Sequence, residues 1–158
     1  MKLARIVAVA TALVLVFSAL SFGTAFATTN LVDQRADVEL MASKMAPVGA
    51  MGTAELRLII DEEGMLDLFR ARVDAVGLLA DTTYSFWVGY TLIGSGMSDG
   101  NGSLSIDEEL DTVSFKCLKG LWVKVVEGTD VHGTKVLFGK VTELERNVIA
   151  DVEEEEVN

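Results

Sequence analysis

From Val38 onward, apolar and polar residues alternate with a period of two almost throughout, and turn residues recur about every ten positions. That rhythm predicts an all-β sandwich or barrel of antiparallel strands. Val38, Leu40 and Ala42 open a first strand that ends before Pro47-Val48-Gly49. Ala54, Leu56, Leu58 and Ile60 then face one way and Glu55 and Arg57 the other, the pattern of a half-buried strand. Glu62-Glu63-Gly64 reads as a tight hairpin, because glycine supplies the positive φ such a turn requires. The return strand, Met65 to Val76, changes phase: Leu66 and Leu68 share one face, Phe69, Ala71 and Val73 the other. A bulge near Leu68 reconciles the two.

The next apolar series, Tyr84, Phe86, Val88, Tyr90 and Leu92, is read as one inner face, which turns Trp87 outward. A glycine-rich loop follows from Gly94 to Gly102, with hairpin signals at Asp99-Gly100 and Asn101-Gly102. Further strands are expected at Ser103–Ile106, Thr112–Leu118, Leu121–Glu127 and Lys135–Glu143, with a last turn from Gly128 to Gly133.

Leu78-Leu79-Ala80-Asp81-Thr82-Thr83-Tyr84 delivers a tyrosine into a strand directly after a polar corner. A ring buried there leaves its hydroxyl to tie down the connection between two packed sheets. The spacing of Leu79, Tyr84 and Val88 resembles the tyrosine corner of fibronectin type III and other immunoglobulin-like modules, with Ala80 where those modules usually carry proline. The resemblance covers Leu79–Val88 and implies an immunoglobulin-like β-sandwich of about seven or eight antiparallel strands. It implies nothing about activity.

The N-terminus carries a different signal. Lys2 and Arg5 precede an uncharged apolar run from Ile6 to Leu20, and Ala25-Phe26-Ala27 supplies small residues where a peptidase would cut. This order is that of a secretory signal peptide, residues 1–27, cleaved after Ala27. Retention of the uncharged span Ile6 to Ala27 as a membrane anchor is the competing reading. Residues 28–36 read as a flexible polar leader, 37–146 as the sandwich and 147–158 as a solvated acidic tail. The leader could also donate a strand to a neighbouring subunit's edge.

Cleavage removes two cations and moves the formal charge from −11 to −13. Extended anionic partners such as nucleic acid or an anionic membrane surface are thereby disfavoured. Cys117 is the single cysteine, so no internal disulfide can form and stability rests on the core. Cys117 itself is expected to pack as a small apolar residue on a strand face shared with Val113 and Phe115.

Two stretches offer candidate chemistry. With Gly102 as the central glycine of a calcium loop, Asp99, Asn101, Asp107 and Glu108 become possible ligands for a weakly held Ca2+. Met97 falls at the first ligand position, which favours a plain polar hairpin instead. The second candidate is an outer face carrying Trp87, Trp122 and Lys124, whose rings could stack on sugars or anchor a protein. Met41, Met45 and Met51 carry soft thioethers of the kind that bind Cu(I), but with the lone His132 far off in sequence they are too few for a copper site. No nucleophile elbow or paired-cysteine motif occurs, and acidic residues such as Asp61, Glu62 and Glu63 are ordinary in hairpin turns. The sequence therefore points to a secreted or cell-envelope, non-catalytic protein of binding, adhesion or surface assembly, its partner an envelope or extracellular protein, a glycan or other copies of itself. A calcium-binding extracellular module ranks second and a secreted hydrolase third.

Overall fold

A computed structural model describes residues 30–150. The expected signal peptide, its cleavage site and residues 151–158 of the acidic tail lie outside the described residues. Nine strands form: β1 (Asn30–Ala42), β2 (Met51–Ile60), β3 (Leu66–Val76), β4 (Thr83–Val88), β5 (Thr91–Met97), β6 (Leu104–Leu110), β7 (Trp122–Glu127), β8 (Lys135–Lys140) and β9 (Glu145–Ala150). All pairings are antiparallel, and no helix occurs among the described residues. The all-β expectation holds, with nine strands rather than seven or eight.

The strands run β5-β4-β7-β8-β1-β2-β3-β6, with β9 added beside β1, so the sheet curls nearly into a barrel. β1 makes the curl possible. Its length pairs with β2, while on its other side the first half pairs with β9 and Met41 and Ala42 pair with β8. Besides the β1–β8 and β1–β9 pairings, two further neighbour relations skip strands in the chain: β3 lies beside β6 and β4 beside β7, with the β4–β5 hairpin returning over the opposite layer. This is Greek-key connectivity. The remaining seam, between β5 and β6, closes through side chains rather than backbone pairing. A Cβ on Gly94 would come within 2.9 Å of Ile106 and Glu108, so only glycine lets β6 pack this closely over β5.

Alternation fills the interior as read from the sequence. Ala54, Leu56, Leu58, Phe69, Ala71, Val73, Tyr84, Phe86, Val88, Val123 and Val125 are all buried. The phase change in β3 is a bulge: Ile59 faces Leu68 but Ile60 faces Leu66, leaving Asp67 as the extra residue. The corner forms as well. Tyr84 is fully buried and its hydroxyl accepts the Leu79 backbone N–H at 3.1 Å. Buried Ser98 secures the same turn, donating to the Leu79 carbonyl while accepting the Thr82 N–H at 3.2 Å. Asp81 takes φ 50° there, a left-handed conformation that Asp tolerates better than most residues.

Four expectations are corrected. The leader 28–36 is not loose from Asn30 on, because those residues form the first half of β1 and are hydrogen-bonded within their own fold on both sides. Its polar residues have dedicated partners. The Gln34 side chain, buried, donates to the Lys116 carbonyl at 3.2 Å and accepts the Leu118 N–H at 3.1 Å. Second, Thr112–Leu118 is irregular rather than a strand, and the Gln34 amide satisfies two of its backbone groups. Phe115 packs edge-on against Phe69 at 5.1 Å and Leu118 is buried, but Cys117 is exposed rather than packed with Val113 and Phe115. Third, β4 stops at Val88 and the chain turns through Gly89, which donates to the Trp122 carbonyl at 2.7 Å. Tyr90 at the tip and Leu92 beyond it therefore leave the inner face, and Ile93 takes the buried place. Fourth, the region expected to open the acidic tail pairs with β1 as β9.

Candidate functional site

The outer surfaces of the two layers differ in chemistry, and each holds a groove. On one layer, odd-numbered β1 residues, even-numbered β3 residues and their partners point outward. Register places Arg35, Arg57 and Arg70 side by side on β1, β2 and β3, with Glu109 next on β6. Asp37, Glu55, Arg72 and Asp107 form the adjacent row. Three like charges directly opposite one another are unfavourable unless neutralised. Each arginine has a carboxylate partner: Asp33 accepts from both Arg35 and Arg57 at 2.9–3.1 Å, Asp107 binds Arg70 through two bonds at 2.7 and 3.0 Å, and Asp74 binds Arg72.

The titration behaviour follows. Burial raises the Asp33 carboxyl, but hydrogen bonds and charge from Arg57 and Arg35 more than reverse this and hold it below the usual carboxylate range. Hydrogen bonding to Arg70 lowers Asp107, and hydrogen bonds from Arg72 and Ser105 lower Asp74. The groove over these rows, about 640 Å3, is lined by paired arginines together with Asp37, Glu55, Glu143 and Glu145. It is a surface whose cations are already occupied.

The other layer presents Trp87, Trp122 and Lys124, the three residues singled out from the sequence, on one outer face. Val123 and Val125 point inward, so Trp122 and Lys124 point outward from β7, and Lys124 pairs directly with Trp87 on β4. A register shift follows at Val125-Val126: Val125 faces Leu137, Val126 faces Lys135, and Val136 is the extra residue. One transverse row reads Leu92, Trp87, Lys124, Phe138 and Met41, crossing five strands or about 19 Å.

Within that face the two tryptophans are not equivalent. Trp87 is half-buried and its indole N–H donates to Ser85 at 2.9 Å, so it is a fixed part of the surface. Trp122 is 49% exposed and Tyr90, at the β4–β5 turn, is 88% exposed. Trp122 lies 6.2 Å from Phe138 with ring planes at 44°, which makes a shallow trough rather than a flat stack. Three ammonium groups stand over these rings: Lys124 at 5.6 Å from Tyr90, Lys135 at 4.4 Å from Phe138 and Lys140 at 5.7 Å from Trp122. Such placement is attractive because the ring face carries partial negative charge. The depression they surround is about 280 Å3, lined by Gly89, Tyr90, Trp122, Lys124, Lys135 and Phe138.

Sequence reading missed Tyr90, Phe138, Lys135 and Lys140. Phe138 and Lys140 share a parity that a strand at 135–140 would expose together. Lys135 joins them only through the extra residue at Val136, and Tyr90 only through the turn at Gly89, neither of which is encoded in simple alternation.

The possible calcium ligands do not come together. Asp99 uses its carboxylate inside the loop, accepting the N–H groups of Asn101 and Ser103 at 2.8 Å each. Asp107 faces outward on β6 in its Arg70 pair, while Glu108 points the opposite way, against Gly94. Among the described residues no group of three or more His, Cys, Asp and Glu side chains is arranged to hold a metal ion. The chain matches no family model, and no curated protein is significantly similar to it.

Proposed function

We propose that this is a secreted or cell-envelope, non-catalytic β-sandwich of the immunoglobulin-like kind that works by binding, through the outer face of β4, β7 and β8. The observation that carries the reading is the gathering of Trp122, Tyr90 and Phe138 with Lys124 and Lys135 around one depression, with Lys140 over the Trp122 ring. Exposed aromatic rings on a rigid sheet bury much area at small entropic cost when a partner arrives, which is why such residues dominate binding surfaces. The immunoglobulin-like assignment is supported by the Greek-key neighbours β3–β6 and β4–β7 and by the Tyr84 corner. Export is supported by Lys2, Arg5, the apolar run and Ala25-Phe26-Ala27.

The deciding experiment compares immobilised mature chain with its Trp122→Ala variant for capture of proteins and glycans from the native envelope or culture fluid. Loss of capture with an unchanged melting curve supports the reading; equal capture by both removes this face from consideration. Intact mass of the exported protein checks the processing step, with Thr28 expected as its first residue.

A further inference from the structure

We infer that the depression between Tyr90, Trp122 and Phe138 recognises a glycan carrying a carboxylated sugar, its ring seated on the aromatic trough and its carboxylate paired with Lys124 and Lys135. The inference rests on the binding face proposed above and names the chemistry of its ligand.

Two independent observations lead to it. The first is shape and surface: two rings inclined at 44° and a third at the turn give a small concave site of about 280 Å3, suited to one sugar residue rather than to a broad protein epitope. The polarised C–H groups on the flat side of a pyranose meet the negative face of an aromatic ring favourably. The second is charge. Every ion pair among the described residues belongs to an arginine, so Lys124, Lys135 and Lys140 have no carboxylate partner among those residues, in a chain rich in acidic ones. The lining of the depression contains no acidic residue at all.

Those unpaired lysines discriminate between ligands. A neutral sugar laid on the rings would strip water from the ammonium groups and return no countercharge, which is costly. A carboxylated sugar supplies that countercharge through charge-assisted hydrogen bonds. An acidic peptide supplies charge but no flat apolar face, and would leave the rings uncovered. The negative charge elsewhere on the protein does not prevent this: at physiological ionic strength the screening length is about 8 Å, so a single carboxylate feels chiefly the lysines beside it.

Trigalacturonate, galactotriose and triglutamate separate these contributions when titrated into the mature chain, followed by tryptophan fluorescence and calorimetry. Trigalacturonate is expected to bind about tenfold more tightly than galactotriose, with triglutamate weaker than both. Lys124→Gln should weaken trigalacturonate about tenfold and move galactotriose by less than about twofold, with the melting temperature unchanged. Equal affinity for trigalacturonate and galactotriose, tight binding of triglutamate, or no saturable binding of trigalacturonate overturns the inference. In any of those cases the face itself still stands if Trp122→Ala abolishes capture of a partner, and falls with it if capture is unaffected.

Discussion

On the outer face of β1, β2, β3 and β6, four arginines end on three aspartates, whereas on the outer face of β4, β7 and β8 three lysines meet aromatic rings and, among the described residues, no carboxylate. Both faces are built on strands of the same curled sheet, and both place cations in cross-strand rows. The difference lies in what answers each charge. An arginine fork matched to a carboxylate is geometrically closed and has little left to offer a ligand. A lysine held over a ring keeps its donors, and its charge is only partly balanced. The first face serves the stability of the fold, and the second is the one we propose for binding.

If that division is right, acid should damage the fold through the first face. The carboxyls of Asp33, Asp74 and Asp107 are all held below their ordinary values in the folded chain. A depressed folded pKa contributes stability that is present above the unfolded value, about pH 4, and is lost as pH falls through the folded values. Urea midpoints should therefore be flat from about pH 7 to 5 and drop steeply below about pH 4. A flat profile to pH 2 would contradict the role assigned to the arginine rows.

Asp33→Asn is the sharper version of the same test. Asp33 is 1% exposed and serves two arginines, which the substitution would leave adjacent and unneutralised. Because Arg35 and Arg57 can still turn partly to water, the expected cost is about 2 kcal/mol rather than the full loss of a buried pair. That corresponds to a melting temperature lower by about 8 °C, and to a shallower acid transition than in the parent chain. The matching change on the other face, Lys124→Gln, is expected to stay within about 0.5 kcal/mol.

How much of this was written in the sequence depends on whether the relevant spacing was local. The inward faces of β2, β3, β4 and β7 and the Tyr84 corner follow from residues within one strand or one turn, and alternation exposed them. Even the bulge at Asp67 left a phase error that could be read. Asp33 and Gln34 were invisible for the opposite reason: a polar stretch looks like a leader unless its distant partners, Arg57 and Leu118, are known. The Lys124–Phe138–Met41 row likewise depends on register across three strands, and the Val136 insertion that brings Lys135 into line exists only once β7 and β8 are paired. The supposed calcium set shows the converse error. Asp107 and Glu108 are neighbours in the chain, yet on a strand neighbours face opposite ways, so sequence proximity argued against their convergence.

Within the proposed binding face, Trp87 and Trp122 should separate stability from binding. Trp87 is half-buried with its N–H on Ser85, so Trp87→Ala removes packed area and a hydrogen bond that Ser85, fully buried, also uses to hold its place. About 2 kcal/mol of stability should be lost, visible as a lower urea midpoint at unchanged slope. Trp122 has half its surface in water and contacts Phe138 only at an inclined 6.2 Å, so Trp122→Ala should cost about 0.5 kcal/mol or less. Its effect should instead fall on ligand affinity, since its ring forms one wall of the depression. Equal destabilisation by the two substitutions would mean that Trp122 is part of the fold's own packing, and the contrast between a closed face and an open one would lose its clearest residue.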